Sequence, residues 1–137
     1  MILGVGTDLV EVSSFAEQLE DSASYFVEGT FTLGERREAE SRPSNRPDRH
    51  LAVRFAAKEA LIKAWSSAMW GHPPVRQHVN LREIEVVTDA YHRPTLRLHG
   101  DVAQAMQDFA PLRIHLSLSH DGNYATAFVV LEKLEGQ

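Results

Sequence analysis

The sequence predicts one domain of mixed helices and hairpin-connected strands. Three observations carry that reading. A long segment in the middle of the chain repeats apolar residues with helical period; strand-like runs stand at both ends; and a turn through Asp121-Gly122-Asn123 joins two alternating segments near the C-terminus. With 137 residues, 43% hydrophobic, the chain is long enough to bury a core without cross-links, and residues 1–137 read as a single unit.

Ile2 to Val10 reads as a strand, with Gly4, Gly6 and Asp8 on one face and Leu3, Val5 and Leu9 on the other. The two glycines beside Asp8 leave room for something to approach the backbone. A helix follows over Ser13–Glu20, and a weaker one over Ser22–Val27. Thr32-Leu33-Gly34-Glu35 has the form of a capping box, predicting a third helix to about Glu40. Ser41 to Asp48, with Pro43 and Pro47, is expected to be a loop whose last residue caps a long helix ending near Met69.

On that long helix, Leu51, Phe55, Ile62, Trp65 and Met69 form one stripe, and Ala52, Ala56, Ala60 and Ala64 another. A helix apolar nearly all round should be buried, so Arg54, Lys58, Glu59 and Lys63 need partners or a purpose. Lys58 falls inside the apolar stripe, while Glu59 and Lys63 stand four residues apart on its border. Trp65, Trp70, Phe55 and the methionines are expected in the core. After a loop from Gly71 to Asn80 come a hairpin (Ile84–Thr88, turn Asp89–Arg93, Pro94–Leu98), a helix over Asp101–Phe109, and two strands, Leu112–Ser119 and Tyr124–Glu132. In the first of these, Ile114, Leu116 and Leu118 point to the core, and Arg113, His115, Ser117 and Ser119 share the other face.

Charge is unevenly spread. The net charge is -5, yet the first 35 residues hold seven acids and no Lys or Arg, whereas residues 36–63 hold eight basic residues against four acids. A basic segment on an acidic protein points to a local anionic partner rather than nucleic acid. The absence of cysteine excludes disulfides, thiolate metal sites and cysteine nucleophiles. The N-terminal apolar run is too short for a signal or membrane span, so a cytoplasmic soluble protein is expected.

A magnesium ion bound together with phosphates needs only one or two protein carboxylates. Asp8 and Glu59 are the two in apolar surroundings; the alternatives are a capping role for Asp8 and a helical ion pair with Lys63 for Glu59. Arg54, Lys58 and Lys63 could grip a diphosphate, or pack their stems and leave their charges in water. No glycine-rich phosphate loop is present, so side chains and metal would have to supply the grip. His115 is either a satisfied surface residue or, beside a phosphate, a proton carrier.

Three blocks together, Gly4-Val5-Gly6-Thr7-Asp8-Leu9-Val10-Glu11-Val12, Arg54-Phe55-Ala56-Ala57-Lys58-Glu59-Ala60-Leu61-Ile62-Lys63-Ala64 and His115-Leu116-Ser117-Leu118-Ser119-His120-Asp121, resemble the short 4'-phosphopantetheinyl transferases in order, spacing and total length. The resemblance implies an α+β fold, a small antiparallel sheet packed on a long central helix, with subunits assembled as a homotrimer. It implies transfer of 4'-phosphopantetheine from coenzyme A to a serine of apo-acyl-carrier protein, or of a carrier domain, releasing adenosine 3',5'-bisphosphate. Asp8 and Glu59 match the family's magnesium ligands and Lys63 the lysine near the diphosphate. Arg54 matches a phosphate-contacting arginine; His115, Ser117 and Ser119 match the strand bordering the nucleotide, and the turn near Arg93 and Pro94 matches one that reaches a neighbour's nucleotide. Metal-bound water, Glu59 or His115 could act as base. Ser14 stands where many members have an arginine that docks the carrier, which leaves Arg36, Arg37, Arg42 and Arg46 as docking candidates by charge. A magnesium-dependent nucleotide diphosphate hydrolase and a non-catalytic carrier-binding module are the alternative readings.

Overall fold

The computed structural model describes residues 1–21, 25–41, 46–74 and 78–135. A strand β1 (Ile2–Glu11) leads into helices α1 (Val12–Glu20), α2 (Phe26–Thr30), α3 (Leu33–Ser41) and the long α4 (Pro47–Ala68). A single 3-10 turn (Leu81–Glu83) precedes the hairpin β2 (Ile84–Thr88) and β3 (Pro94–Leu98). Then come α5 (Gly100–Met106), extended by a 3-10 turn to Phe109, and the closing pair β4 (Leu112–Asp121) and β5 (Tyr124–Lys133). The class is α+β, as expected. β1, β5 and β4 form an antiparallel sheet with β5 in the middle, and β2 and β3 form a separate two-stranded sheet.

The contact between β1 and α4 sets the architecture. A methyl group at Gly4 would overlap the Ala64 carbonyl oxygen, and one at Gly6 the Ala60 carbonyl oxygen. The glycines therefore let a strand backbone lie directly on a helix backbone, and the helix face that meets them is the alanine stripe. What approaches β1 at its glycines is the protein's own helix. Ala127, Val129 and Leu131 of β5 are buried on the same side, and Leu61, Trp65, Ile84 and Val86 complete that core. A second cluster gathers Val12, Phe15, Phe31, Leu51 and Val53, with Phe15 packed 5.7 Å from Phe26 and 5.5 Å from Phe55, ring centre to ring centre.

Lys58 finds its partner inside this core. Its side chain is fully buried, and its ammonium donates to Glu35 Oε1 at 2.8 Å, to the Leu81 carbonyl at 2.9 Å and to the Ile84 carbonyl. Three donors meet three acceptors, so the buried charge is fully satisfied. Glu35 is the capping-box residue: its Oε1 accepts from Thr32 N at 3.0 Å while its own N–H donates to Thr32 Oγ1 at 3.1 Å, and its Oε2 accepts from Val86 N. Burial pushes the Lys58 ammonium below the usual lysine range, and Glu35 opposes that shift.

Several boundaries differ from expectation. The long helix starts at Pro47, with Arg46 at the N-cap and Asp48 inside the first turn, so Asp48 does not cap it; proline suits the first helical position, where no N–H partner is needed. The helix ends at Ala68. The weak second helix lies at Phe26–Thr30, and residues 22–24 of the expected one lie outside the described residues. Trp70 is 90% exposed and Met1 74%, which corrects their placement in the core: one sits in the turn after α4 and the other precedes β1. Among the described residues no helix is long and apolar enough to cross a membrane.

Candidate active site

Asp8 and Glu59 come together because β1 lies flat on α4. Asp8 continues the inward face that Gly4 and Gly6 begin, and Glu59 lies beside Ala60, against which Gly6 packs. Both carboxylates line an open cleft of about 350 Å³, whose other walls include Val10, Ser14, Phe15, Gln18 and Phe55. Burial, followed by the nearby Asp8 charge, pushes the Glu59 carboxyl above its ordinary value, and Lys63 opposes that shift. A cation shared by the two carboxylates would relieve the strain of placing Glu59 beside the Asp8 charge.

Lys63 does not simply close a helical pair with Glu59. Its ammonium reaches across to β1, donating to Asp8 Oδ1 at 2.9 Å and to the Thr7 carbonyl at 3.0 Å. The Asp8 backbone is held in turn by Thr126 Oγ1, which donates to the Asp8 carbonyl at 2.8 Å. The cleft thus has two acceptor carboxylates, one of them paired with the Lys63 ammonium, and side chains of β1, α1 and α4 as its walls.

Among the described residues no three His, Asp or Glu side chains converge on a point. Two carboxylates in an open cleft are nevertheless the donor set of a hard cation that takes its remaining oxygens from phosphate and water. Asp8 and Glu59 therefore fit a magnesium ion.

The other expected site residues lie elsewhere in the chain. Strand pairing puts Asp8, Ala127 and Leu118 on the sheet face toward α4, whereas Val5, Val130 and His115 share the opposite face, as do Thr7, Phe128 and Ser117, and Leu9, Thr126 and Ser119. His115, Ser117 and Ser119 are thus separated from the carboxylate pair by the thickness of the sheet. His115 Nε2 lies 3.0 Å from Glu132 Oε1, and that hydrogen bond holds the Glu132 carboxyl below its ordinary value. Arg54 is buried one turn before Lys58, with Nη1 donating to the His50 carbonyl at 3.1 Å, and is not among the residues lining the cleft. Pro94 opens β3, opposite Thr88 in the separate sheet, after a turn tied by Asp89 to the Tyr91 and Arg93 amides and the Arg93 Nε. Arg37 is exposed and Arg36 half-buried on α3; Arg46 is exposed and pairs with Asp48 at 3.4 Å; Arg42 lies outside the described residues.

Gln18 is a cleft residue that sequence reasoning passed over. It follows Ser14 by four positions on α1, so the two share a helix face. That spacing was the available signal. Glu11 is exposed beside them and accepts hydrogen bonds from the Ser13 and Ser14 hydroxyls, at 3.1 and 2.7 Å, which hold its carboxyl below the ordinary value.

A carboxylate pair beside a lysine, on a strand and helix in direct backbone contact, is a charge arrangement able to take up phosphate together with a counterion. The chain belongs to the 4'-phosphopantetheinyl transferase superfamily, whose profile matches residues 4–129. It is 48% identical over 131 residues to the holo-[acyl-carrier-protein] synthase of Mycobacterium tuberculosis, covering 96% of this chain and 97% of that one. The Chronobacterium ammoniagenes ACPS-CoA complex is similar at 47% identity with a TM-score of 0.88, over 96% of this chain and 98% of the other. A Bacillus anthracis holo-(acyl-carrier-protein) synthase in complex with CoA (3',5'-ADP) is 32% identical with a TM-score of 0.72, over 98% of this chain and 99% of that one.

Proposed function

We propose that this protein transfers the 4'-phosphopantetheine arm of coenzyme A to a serine hydroxyl of an apo-acyl-carrier protein or carrier domain, releasing adenosine 3',5'-bisphosphate. One observation carries the reading: Asp8 and Glu59 share an open cleft, with Lys63 bonded to Asp8, in a chain whose fold matches a relative solved with coenzyme A. Asp8 and Glu59 would hold magnesium, which when bound supplies neutralising charge to the diphosphate. Lys63 offers a point charge to the same phosphates. The acceptor serine belongs to the carrier, so no covalent enzyme intermediate is required. A base must still take the serine proton, and metal-bound water, Glu59 and His115 are the candidates.

The nucleotide end of the site is proposed to form between subunits of a homotrimer. The outer sheet face exposes Val5, Leu9 and Phe128 at 48%, 66% and 46%, and it is this face that carries His115, Ser117 and Ser119. Packing that face on a neighbour would bury apolar surface and let these residues and the turn leading to Pro94 serve the nucleotide of a cleft that spans two chains, with Arg54 proposed to act on phosphate from α4. Arg36, Arg37, Arg42 and Arg46 are proposed to draw in the acidic carrier, and the cytoplasm is the expected compartment.

The test is to incubate the protein with coenzyme A, magnesium and apo-carrier, and to weigh the carrier by mass spectrometry. A gain of one phosphopantetheine is expected, lost in Asp8→Asn and in Glu59→Gln by more than about 100-fold, the upper range for groups that only support a metal ligand. Cleavage of coenzyme A without carrier would reassign the protein as a hydrolase. Near-normal loading by either variant would remove the metal site from the mechanism.

A further inference from the structure

Two lysines five residues apart on α4 are held in opposite ways. Lys58 is sealed, with every ammonium proton on a protein acceptor and no exposed surface. Lys63 is 55% exposed along its side chain, and protein acceptors take two of its three donors: Asp8 Oδ1 and the Thr7 carbonyl. The backbones around it cannot adjust, because β1 at Gly6 lies against the Ala60 carbonyl and the Ala64 amide of α4. The carboxylates and the Lys63 Cα are therefore fixed with respect to one another, and the flexible four-carbon stem of Lys63 is the part that can move.

The charges set the direction of that movement. Asp8 and Glu59 face one cleft, and Lys63 stands beside both as their cation. A divalent cation on the two carboxylates would make the ammonium surplus and repel it at close range. The next anion within the same cleft would be the diphosphate of the substrate.

We propose that Lys63 is an exchangeable counterion, which holds Asp8 in the metal-free protein and moves to the diphosphate of coenzyme A once a divalent cation occupies the carboxylate pair. This rests on the metal and diphosphate roles proposed above. It adds that one side chain serves both states in turn, so metal binding prepares the grip on phosphate and precedes it. In the metal-free protein Lys63 also screens the two carboxylates from each other.

The chain contains three lysines, Lys58, Lys63 and Lys133, so a nitrogen spectrum of 15N-lysine-labelled full-length protein has three side-chain signals, and Lys63→Arg assigns the one in question. Magnesium alone, without coenzyme A, should shift or broaden the Lys63 signal and leave that of the sealed Lys58 in place; coenzyme A should then move Lys63 again. In parallel, the affinity for manganese alone, read by electron paramagnetic resonance, should rise severalfold in Lys63→Met and return toward the original value in Lys63→Arg. If magnesium shifts the carboxylate carbons of Asp8 and Glu59 but not Lys63, the exchange is wrong and the metal site stands. If none of the three responds, both ideas fall. A manganese affinity in Lys63→Met equal to that of the unaltered protein would also overturn the exchange.

Discussion

Lys58 donates to Glu35 Oε1 at 2.8 Å with both side chains wholly out of solvent, joining the middle of α4 to the capping residue of α3. The same ammonium holds the Leu81 and Ile84 carbonyls, so the two-stranded sheet is fastened to α4 at this point. Removing one member leaves the other charge buried without a counterion. Lys58→Met should therefore cost about 3–5 kcal/mol in urea unfolding. Lys58→Met combined with Glu35→Gln should cost less than Lys58→Met alone, since no charge is then stranded. A double variant less stable than the single would contradict this account.

Glu85 connects that buried pair to the surface through Thr32, whose hydroxyl donates to Glu85 Oε2 at 2.7 Å, and through His99 Nε2 at 2.9 Å from Oε1. Burial pushes the Glu85 carboxyl up, but the hydrogen bonds from Thr32 and His99, helped by the His99 and Arg97 charges, hold it below its ordinary value. A carboxyl with a depressed folded-state pKa adds stability above its unfolded pKa and loses it as the pH falls through the folded one. Unfolding followed from about pH 6 to pH 3 should show a shallower acid decline in Glu85→Gln. Equal slopes would mean that Glu85 is not a source of the acid sensitivity.

Gly6→Ala forces a methyl group onto the Ala60 carbonyl, and backbone cannot yield as a side chain can. Overpacking of this kind costs about 1–3 kcal/mol, and here it also separates the strand bearing Asp8 from the helix bearing Glu59. Loading activity should fall even at temperatures where the variant is fully folded. Gly29→Ala is the control: nothing lies within 4 Å of the added carbon, and removing a helix-interior glycine should be neutral or stabilise by up to about 1 kcal/mol.

If the site spans two chains, Asp8→Asn and His115→Ala damage different halves of it. Mixed and reassembled, the two inactive proteins should regain a fraction of loading activity, because some interfaces then carry two intact halves. Phe128→Glu should lower the assembly state measured by light scattering. Activity that survives in a monomeric Phe128→Glu protein would place the whole site within one chain.

Charge reversal at Arg36 and Arg37 should raise the KM for the carrier and soften its dependence on salt, while leaving coenzyme A binding unchanged. An unaltered carrier KM would send docking to another face, and the exposed Ser14, Glu17 and Gln18 of α1 are then the residues to change next.

Much of this protein could be read from its sequence through local physics. Strand alternation placed β4 and β5, helical period placed α4, and the Thr32–Glu35 spacing gave a capping box whose two reciprocal hydrogen bonds are present. The three motif blocks gave the family. Asp8, Glu59 and Lys63 were legible as a group, although their contact was not, because residues 8 and 59 meet only when β1 lies on α4.

Partnership and sidedness were decided by the tertiary structure. The sequence marked Lys58 as an anomaly, but only the packing of α3 and β2 on α4 supplies Glu35 and two carbonyls to satisfy it. Gly4 and Gly6 promised a close approach to the backbone without saying of what, and the fold brings the α4 backbone there. His115, Ser117 and Ser119 take the face away from the core that alternation assigns them, but only strand pairing shows that Asp8 lies on the opposite face, toward the helix. Sequence alone determined the elements and their chemistry; long-range contact determined which chemistry shares a site.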